Sequence, residues 1–467
     1  MTAAAPPTDP ATPGRVERPF DVTSRSVMAI AIPMTLAHAT TPLLGIVDTG
    51  VVGRLGAAAP LAGLAVGAVV FDLVFGTLNF IRAGTTGFVA QAFGRGDAGE
   101  EEATFWRGAG LGLGIGVLVA ALGLPLGLLG AWAMGLGDEA AGAATLYVAI
   151  RALGAPFSLA NYAILGAVLG RGEAKLGLAL QILLNGTNIV LSIVLGLGLG
   201  WGIAGVAIAT ITGEAIATTV GLLVLARRFR ARADRPSWTR VIDREAVSRL
   251  LVVNGDIMIR SFCLIGAFAL FARLGASQGE VTLAANAILM NLFLLSAYLL
   301  DGLATAAEQL AGRAVGARYR PAFDASVRLT ALWGFALTAL IFAAYALFAP
   351  ALIDLMTTVP GVRETAYRFA LWAALTAPAG VLAFQMDGVF IGATWSRTMR
   401  NMMLVSLAVF ALAAAALMPP FGNHGLWAAL NVFLLARGLL LWSRMGGLAD
   451  RTFGGVRPAT ALPAGGG

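Results

Sequence analysis

Charge is scarce in this chain. Only 12% of its 467 residues are Asp, Glu, Lys or Arg, and 58% are hydrophobic. A soluble domain carries about 25% charged and 45–50% apolar residues. The shortage excludes an ordinary water-soluble fold and points to a protein that crosses a membrane many times. Cysteine is nearly absent. Cys263 stands alone in an apolar segment, so no internal disulfide is available and the thiol reads as a small core residue. The two histidines, His38 and His424, lie far apart and outside any metal-ligand pattern. There is no H-E-x-x-H, no serine–histidine constellation and no cysteine–histidine pair, which sets an intramembrane enzyme aside. The opening "MTAAAPPTDPATPGRVERPF" lacks the apolar core of a signal peptide. Residues 1–24 and 447–467 therefore read as cytoplasmic tails.

Long apolar stretches are abundant. A spanning helix needs about 20 mostly apolar residues, and twelve stretches qualify: 27–52, 60–91, 105–134, 140–168, 175–198, 202–226, 248–272, 282–311, 327–349, 366–391, 400–419 and 424–444. The net charge of +7 sits in short clusters between them, the pattern of membrane topology and not of a nucleic-acid face. With both termini inside, 24 of the 32 basic residues fall in internal segments, four in external ones and four within spans. The positive-inside rule then gives a multi-pass protein of the cytoplasmic membrane with both ends cytoplasmic. The basic stretch over 227–247 becomes a linker lying on anionic headgroups, between an N-lobe (25–226) and a C-lobe (248–446).

The halves repeat. "LAGLAV" at 61 faces "LAANAI" at 283, "AQAFGRG" at 90 faces "GRAVGAR" at 312, Ala155-Pro156 faces Ala377-Pro378, and Gly166 and Gly170 face Gly388 and Gly392. Each pair is 222 residues apart. An even number of spans per half gives the copies one orientation, and parallel repeats of this kind are a transporter architecture. The glycine run "GAGLGLGIG" (108–116) has no strand before it and no suitably placed acid after it, so it reads as close helix packing in lipid. Pro33, Pro42, Pro156 and Pro378 lie inside spans, where each gives a static kink or a hinge.

Ionisable groups inside a membrane are costly and mark function by default. In the C-lobe, Asp256 and Arg260 are four apart and can pair on one helix face, and Asp301 and Glu308 are seven apart, also on one face. With Asp387 they read as a charged network holding that bundle together. Asp48 differs, because no basic residue lies within five positions on either side. At 1.5 Å per residue from Ser26 it stands about 33 Å along its helix. Two readings remain open on physics alone: a carboxylate that loads and releases a proton, or an interfacial aspartate that caps a turn.

Four stretches carry a family resemblance: "IAIPMTLAHATTPLLGIVDTGVVGRLG" (30–56), "NGDIMIRS" (254–261), "LDGLATAAEQLAGRAVGAR" (300–318) and "MDGVFIGATWSRTMRN" (386–401). With the repeat and the span count, they resemble the multidrug and toxic compound extrusion (MATE) family in its DNA-damage-inducible, DinF-like branch, over about residues 25–450. The resemblance implies an all-α, V-shaped exporter of twelve transmembrane helices in two six-helix bundles. It would be monomeric and free of cofactors, and it would move cationic or amphipathic small molecules against an inward flow of protons or sodium. Asp48 matches the family's coupling carboxylate, and Pro33 its helix-bending proline, with Pro42 a second hinge. Asn161, Asn188 and Thr210 or Thr212 match its N-lobe polar cluster. Where some members carry a second aspartate, this chain has Ser192 after Asn188. That exchange leaves a weak sodium site at Asp48 and Asn188 and favours protons, since hard cations want several oxygens and charge. The alternative reading is a flippase for lipid or lipid-linked oligosaccharide on a related fold.

Overall fold

The computed structural model describes residues 18–232 and 236–454. Of the tails expected over 1–24 and 447–467, residues 1–17 and 455–467 lie outside the described residues. Helices α1 (Ser24–Gly53), α2 (Ala58–Leu78), α3 (Phe80–Arg95), α4 (Ala98–Ala121), α5 (Gly123–Ala133), α6 (Asp138–Ala152), α7 (Ala155–Gly170), α8 (Ala174–Leu191) and α9 (Gly202–Arg230) build the N-lobe. A π-helical turn, Ser192–Gly198, extends α8. A short α10 (Trp238–Val241) lies in the linker. The C-lobe holds α11 (Arg244–Ala276), α12 (Glu280–Ala317), α13 (Arg320–Met356), α14 (Pro360–Gly392), α15 (Ser396–Phe421) and α16 (Asn423–Phe453).

Local sequence sets the helix starts. Thr23 accepts from Ser26 N while Ser26 Oγ accepts from Thr23 N, a reciprocal box that opens α1. Asp97 and Asp243 cap α4 and α11 through Glu100 N and Ala246 N. Among the described residues, eleven helical segments are long and apolar enough to cross a membrane, and α6 with α7, bent by 50° at their junction, adds a twelfth when the pair is counted as one span. Helices α2 and α3 form one 38-residue span. Some expected boundaries move. The 105–134 stretch is α4 and α5 with a break at Leu122, α9 and α11 take up both ends of the 227–247 linker, and α16 runs through 447 to Phe453. Outward side chains meet lipid, with Trp132 79%, Leu347 73% and Leu355 85% exposed.

The repeat holds in three dimensions. A Cβ on Gly166 would lie 2.7 Å from Arg82 O, and one on Gly388 would lie 2.2 Å from Ala304 O. One turn on, a Cβ on Gly170 would lie 2.8 Å from Thr86 O and one on Gly392 would lie 2.0 Å from Glu308 O. Arg82, Thr86, Gly166 and Gly170 each have their counterpart 222 positions later, in Ala304, Glu308, Gly388 and Gly392. Both halves thus use the same glycine pair to seat one helix backbone on another.

The lobes join at the end that carries the termini. One apolar core there includes Ile81, Val89 and Phe105 of the N-lobe with Ala307, Ala311 and Phe390 of the C-lobe. A second, around Phe271, Leu289, Trp427 and Phe433, belongs to the C-lobe alone. Arg18 N donates to Ala317 O at this end (3.0 Å), and Thr35 Oγ1 donates to Leu299 O further along (3.3 Å). Beyond Thr35 and Leu299 no hydrogen bond joins the lobes among the described residues. The result is a V closed at the end carrying the termini.

Candidate functional site

Helix α1 stays helical through Pro33, which is buried, and Pro42, which is exposed. Each proline deprives its helix of one backbone donor. The carbonyls so freed belong to Ala29 and His38. Beside them, Thr40 Oγ1 donates to Ala37 O (2.7 Å) and accepts from Asn185 Nδ2 (2.6 Å), tying α1 to α8.

Two turns on, Asp48 is 9% exposed. Its Oδ1 accepts from Ser192 Oγ at 2.9 Å, and Ser192 Oγ lies 3.0 Å from Asn188 Oδ1. Asn188 and Ser192 are one turn apart, at the junction of α8 with the π-helical turn. Such turns free backbone groups and aim side chains differently from a regular helix. Asp48 has no cationic hydrogen-bonding partner among the described residues. Arg151, a cation that acts on it through space, is held by Glu214 through two bonds of 3.1 and 2.7 Å. The Arg151 guanidinium also lies over Phe71 and Phe75, 5.1 and 5.2 Å from their centroids.

Asn161 belongs to this second group. Its Nδ2 donates to Glu214 O at 3.0 Å and makes no bond to Asp48. Thr210 and Thr212 donate back to their own helix, at Val206 O and Ile208 O. Of the expected cavity residues, Asn188 and Ser192 gather at Asp48 and the other three do not. Sequence reasoning missed Asn185 and Thr40, and missed that Arg151 and Glu214 pair. Asn185 had a signal, since it precedes Asn188 by three and shares its helix face.

In the C-lobe, the expected pairing of Asp256 with Arg260 is absent. Asp256 Oδ1 accepts from Arg400 (2.6 Å) and Oδ2 from Ser396 (2.7 Å), both on α15. Arg260 turns instead to Asp387, whose Oδ2 also accepts from Arg437. A buried carboxylate needs several charge-assisted donors, which an i,i+4 neighbour on one helix cannot supply alone. Glu308 reaches across the lobes to Arg82 at 3.4 Å. Asp301 is half-buried, forms no side-chain hydrogen bond among the described residues, and acts on Arg260 and Arg437 through space. No cluster of three or more His, Cys, Asp or Glu suited to a metal occurs among the described residues.

Comparison with known proteins places this architecture. The sequence model of the MatE family matches residues 33–194 and 257–417, one block in each lobe. DNA damage-inducible protein F of Escherichia coli K12 is 38% identical over 429 residues, covering 90% of this chain and 92% of the relative. A probable multidrug resistance protein NorM of Chromobacterium violaceum is 27% identical over 454 residues, covering 90% and 92%. Among solved structures, the outward-facing conformation of a MATE family multidrug resistance transporter of the MOP superfamily superposes with a TM-score of 0.83 at 19% identity, over 92% of this chain and 97% of that one. A MATE protein in its bent conformation gives 0.84 at 20% identity, over 92% and 97%. Two matched blocks, eleven to twelve membrane-length apolar segments among the described residues and a relative aligned over nearly its full length agree: this chain belongs to the MatE family and is a multi-pass membrane transporter, not an enzyme.

Proposed function

We propose that the chain is a secondary active exporter of amphipathic and cationic toxic compounds, driven by protons entering through Asp48. The observation that carries this reading is the environment of that carboxylate: buried, without a cationic partner, and set against Ser192 and Asn188. Ser192 has a single proton, yet its Oγ faces two acceptor oxygens. Two arrangements satisfy all three groups. If Asp48 is protonated, it donates to Ser192, which donates to Asn188 Oδ1. If Asp48 is ionised, Ser192 donates to it and Asn188 turns its amide to donate from Nδ2, an atom that otherwise has no partner. The two states differ by one proton and one amide flip.

Proton binding from the outer side neutralises Asp48, α1 bends at Pro33 or Pro42, and the N-lobe cavity collapses and expels its cargo. Release of the proton to the cytoplasm restores a negative charge that favours the next cation. A proton drives this switch only if the two conformations bind it unequally, at about 1.4 kcal/mol per pKa unit of difference. The weak sodium alternative has one carboxylate, one amide oxygen and one hydroxyl at Asp48, a sparse set for a hard cation. The flippase alternative would call for free positive charge in the cavity. The four in-span arginines, Arg82, Arg151, Arg260 and Arg437, all hold carboxylates.

The test is efflux of a fluorescent cation from proteoliposomes under separately imposed proton and sodium gradients. Wild-type protein responds to the proton gradient, and Asp48→Asn, folded and monodisperse, does not. Efflux by Asp48→Asn at the wild-type rate would refute the mechanism.

A further inference from the structure

Helix C-termini leave carbonyls without an intrahelical donor. At two of them the missing donor comes from the opposite lobe. Gln91 Nε2 on α3 donates to Gly392 O, the last residue of α14, at 2.9 Å, and to Thr394 Oγ1 just beyond it at 3.1 Å. Gln309 Nε2 on α12 donates to Gly170 O, the last residue of α7, at 3.5 Å. Gly170 and Gly392 occupy the same position in the two repeats, 222 residues apart. The glutamines lie on the equivalent helices α3 and α12, offset from exact correspondence by four residues, or about one turn. Each lobe therefore sends one amide into the same place on the other.

The surrounding contact is dense. A Cβ on Gly94 would meet Arg313 O at 2.1 Å, and one on Gly316 would meet Gln91 O at 2.0 Å. Gln309 is 2% exposed, and its amide also rests on Gly172, the N-lobe residue that corresponds to Thr394.

We propose that Gln91 and Gln309 are paired gating residues: they latch the end carrying the termini, and each transport cycle releases both before cargo or proton reaches that side. This rests on the two-conformation export cycle proposed above. The chemistry suits a catch that must open repeatedly. An amide–carbonyl bond is neutral, so breaking it strands no charge, and the water that enters as the lobes part takes over both the freed amide and the freed carbonyl. Two equivalent latches also oppose opening on both flanks of the pseudo-two-fold axis.

Spin labels at Lys175 and Arg397 read the latch directly. Both are exposed, both lie in the first turns of helices that follow the latched loops, and they are 222 residues apart. In a C263A background, K175C/R397C protein in proteoliposomes gives a distribution of label distances by pulsed electron resonance. Gln91→Glu with Gln309→Glu keeps side-chain shape but removes both donors. The double variant should raise the ratio of long to short distances by roughly tenfold or more, as expected for two lost hydrogen bonds. Each single variant should supply a comparable part. Should the Glu pair fail to fold, Gln91→Met with Gln309→Met removes the donors without charge and must show the same shift. A folded double variant with the wild-type distribution overturns the proposal. The readout needs no cargo and no ion gradient, so failure of proton coupling at Asp48 would show in the efflux assay and leave this result unaffected.

Discussion

At the residue scale, Ser192 decides how the N-lobe carboxylate is read. It bridges Asp48 and Asn188 at 2.9 and 3.0 Å, so it couples a protonation event on α1 to an amide on α8. Ser192→Ala cuts that link while keeping Asp48 in place. Efflux should fall by about tenfold, within the range for loss of a buried hydrogen bond, and its dependence on external pH should flatten. Ser192→Asp restores a second carboxylate beside the first, and the same vesicles should then respond to a sodium gradient. The isolation of Asp48 was legible in the sequence, because nothing basic lay near it on its own helix. Its hydroxyl partner was marked by the departure from the family pattern. The pairing of Asp256 was misread, since sequence spacing reports neighbours along one helix and its donors come from α15.

At the element scale, α6 and α9 are joined by Arg151 and Glu214, both nearly out of solvent at 11% and 7% side-chain exposure. Breaking a buried pair from one side leaves the other charge uncompensated and costs about 3–5 kcal/mol. Arg151→Ala should therefore lower the midpoint of thermal unfolding in detergent clearly, and Arg151→Met with Glu214→Leu should recover most of the loss. Both residues were recognisable as in-span charges, but a partnership 63 residues apart depends on how two helices pack and not on any local pattern. The breaks within spans carry a local signal. Pro156 stands at the α6–α7 bend, and Pro125 stands three residues after the Leu122 break between α4 and α5, where it removes a backbone donor.

At the scale of the whole molecule, the duplicated plan was the most legible feature, because glycine spacing recurs wherever two backbones must touch. Gly166 with Gly170 and Gly388 with Gly392 perform one task in two lobes. The same plan makes a topological prediction. In a C263A background, Asp138→Cys, exposed at the start of α6, should react with an impermeant maleimide added to intact right-side-out vesicles. Arg451→Cys should react only after the vesicles are opened. The reverse result would invert the orientation drawn from the arginine distribution. What the sequence could not convey is the join between lobes, which depends on which faces of α3, α12 and α14 meet.

The two latched loops are not identical. Gly172 sits at φ +77, a conformation open to glycine. Its counterpart Thr394 adopts φ +55, where a β-branched residue is an outlier costing about 1–3 kcal/mol. That strained turn is tethered by the Gln91 amide at its hydroxyl. One corner of the C-lobe is thus a cocked spring whose trigger belongs to the N-lobe, so the first movement apart would discharge it, and the two halves of a duplicated machine would recoil by unequal amounts.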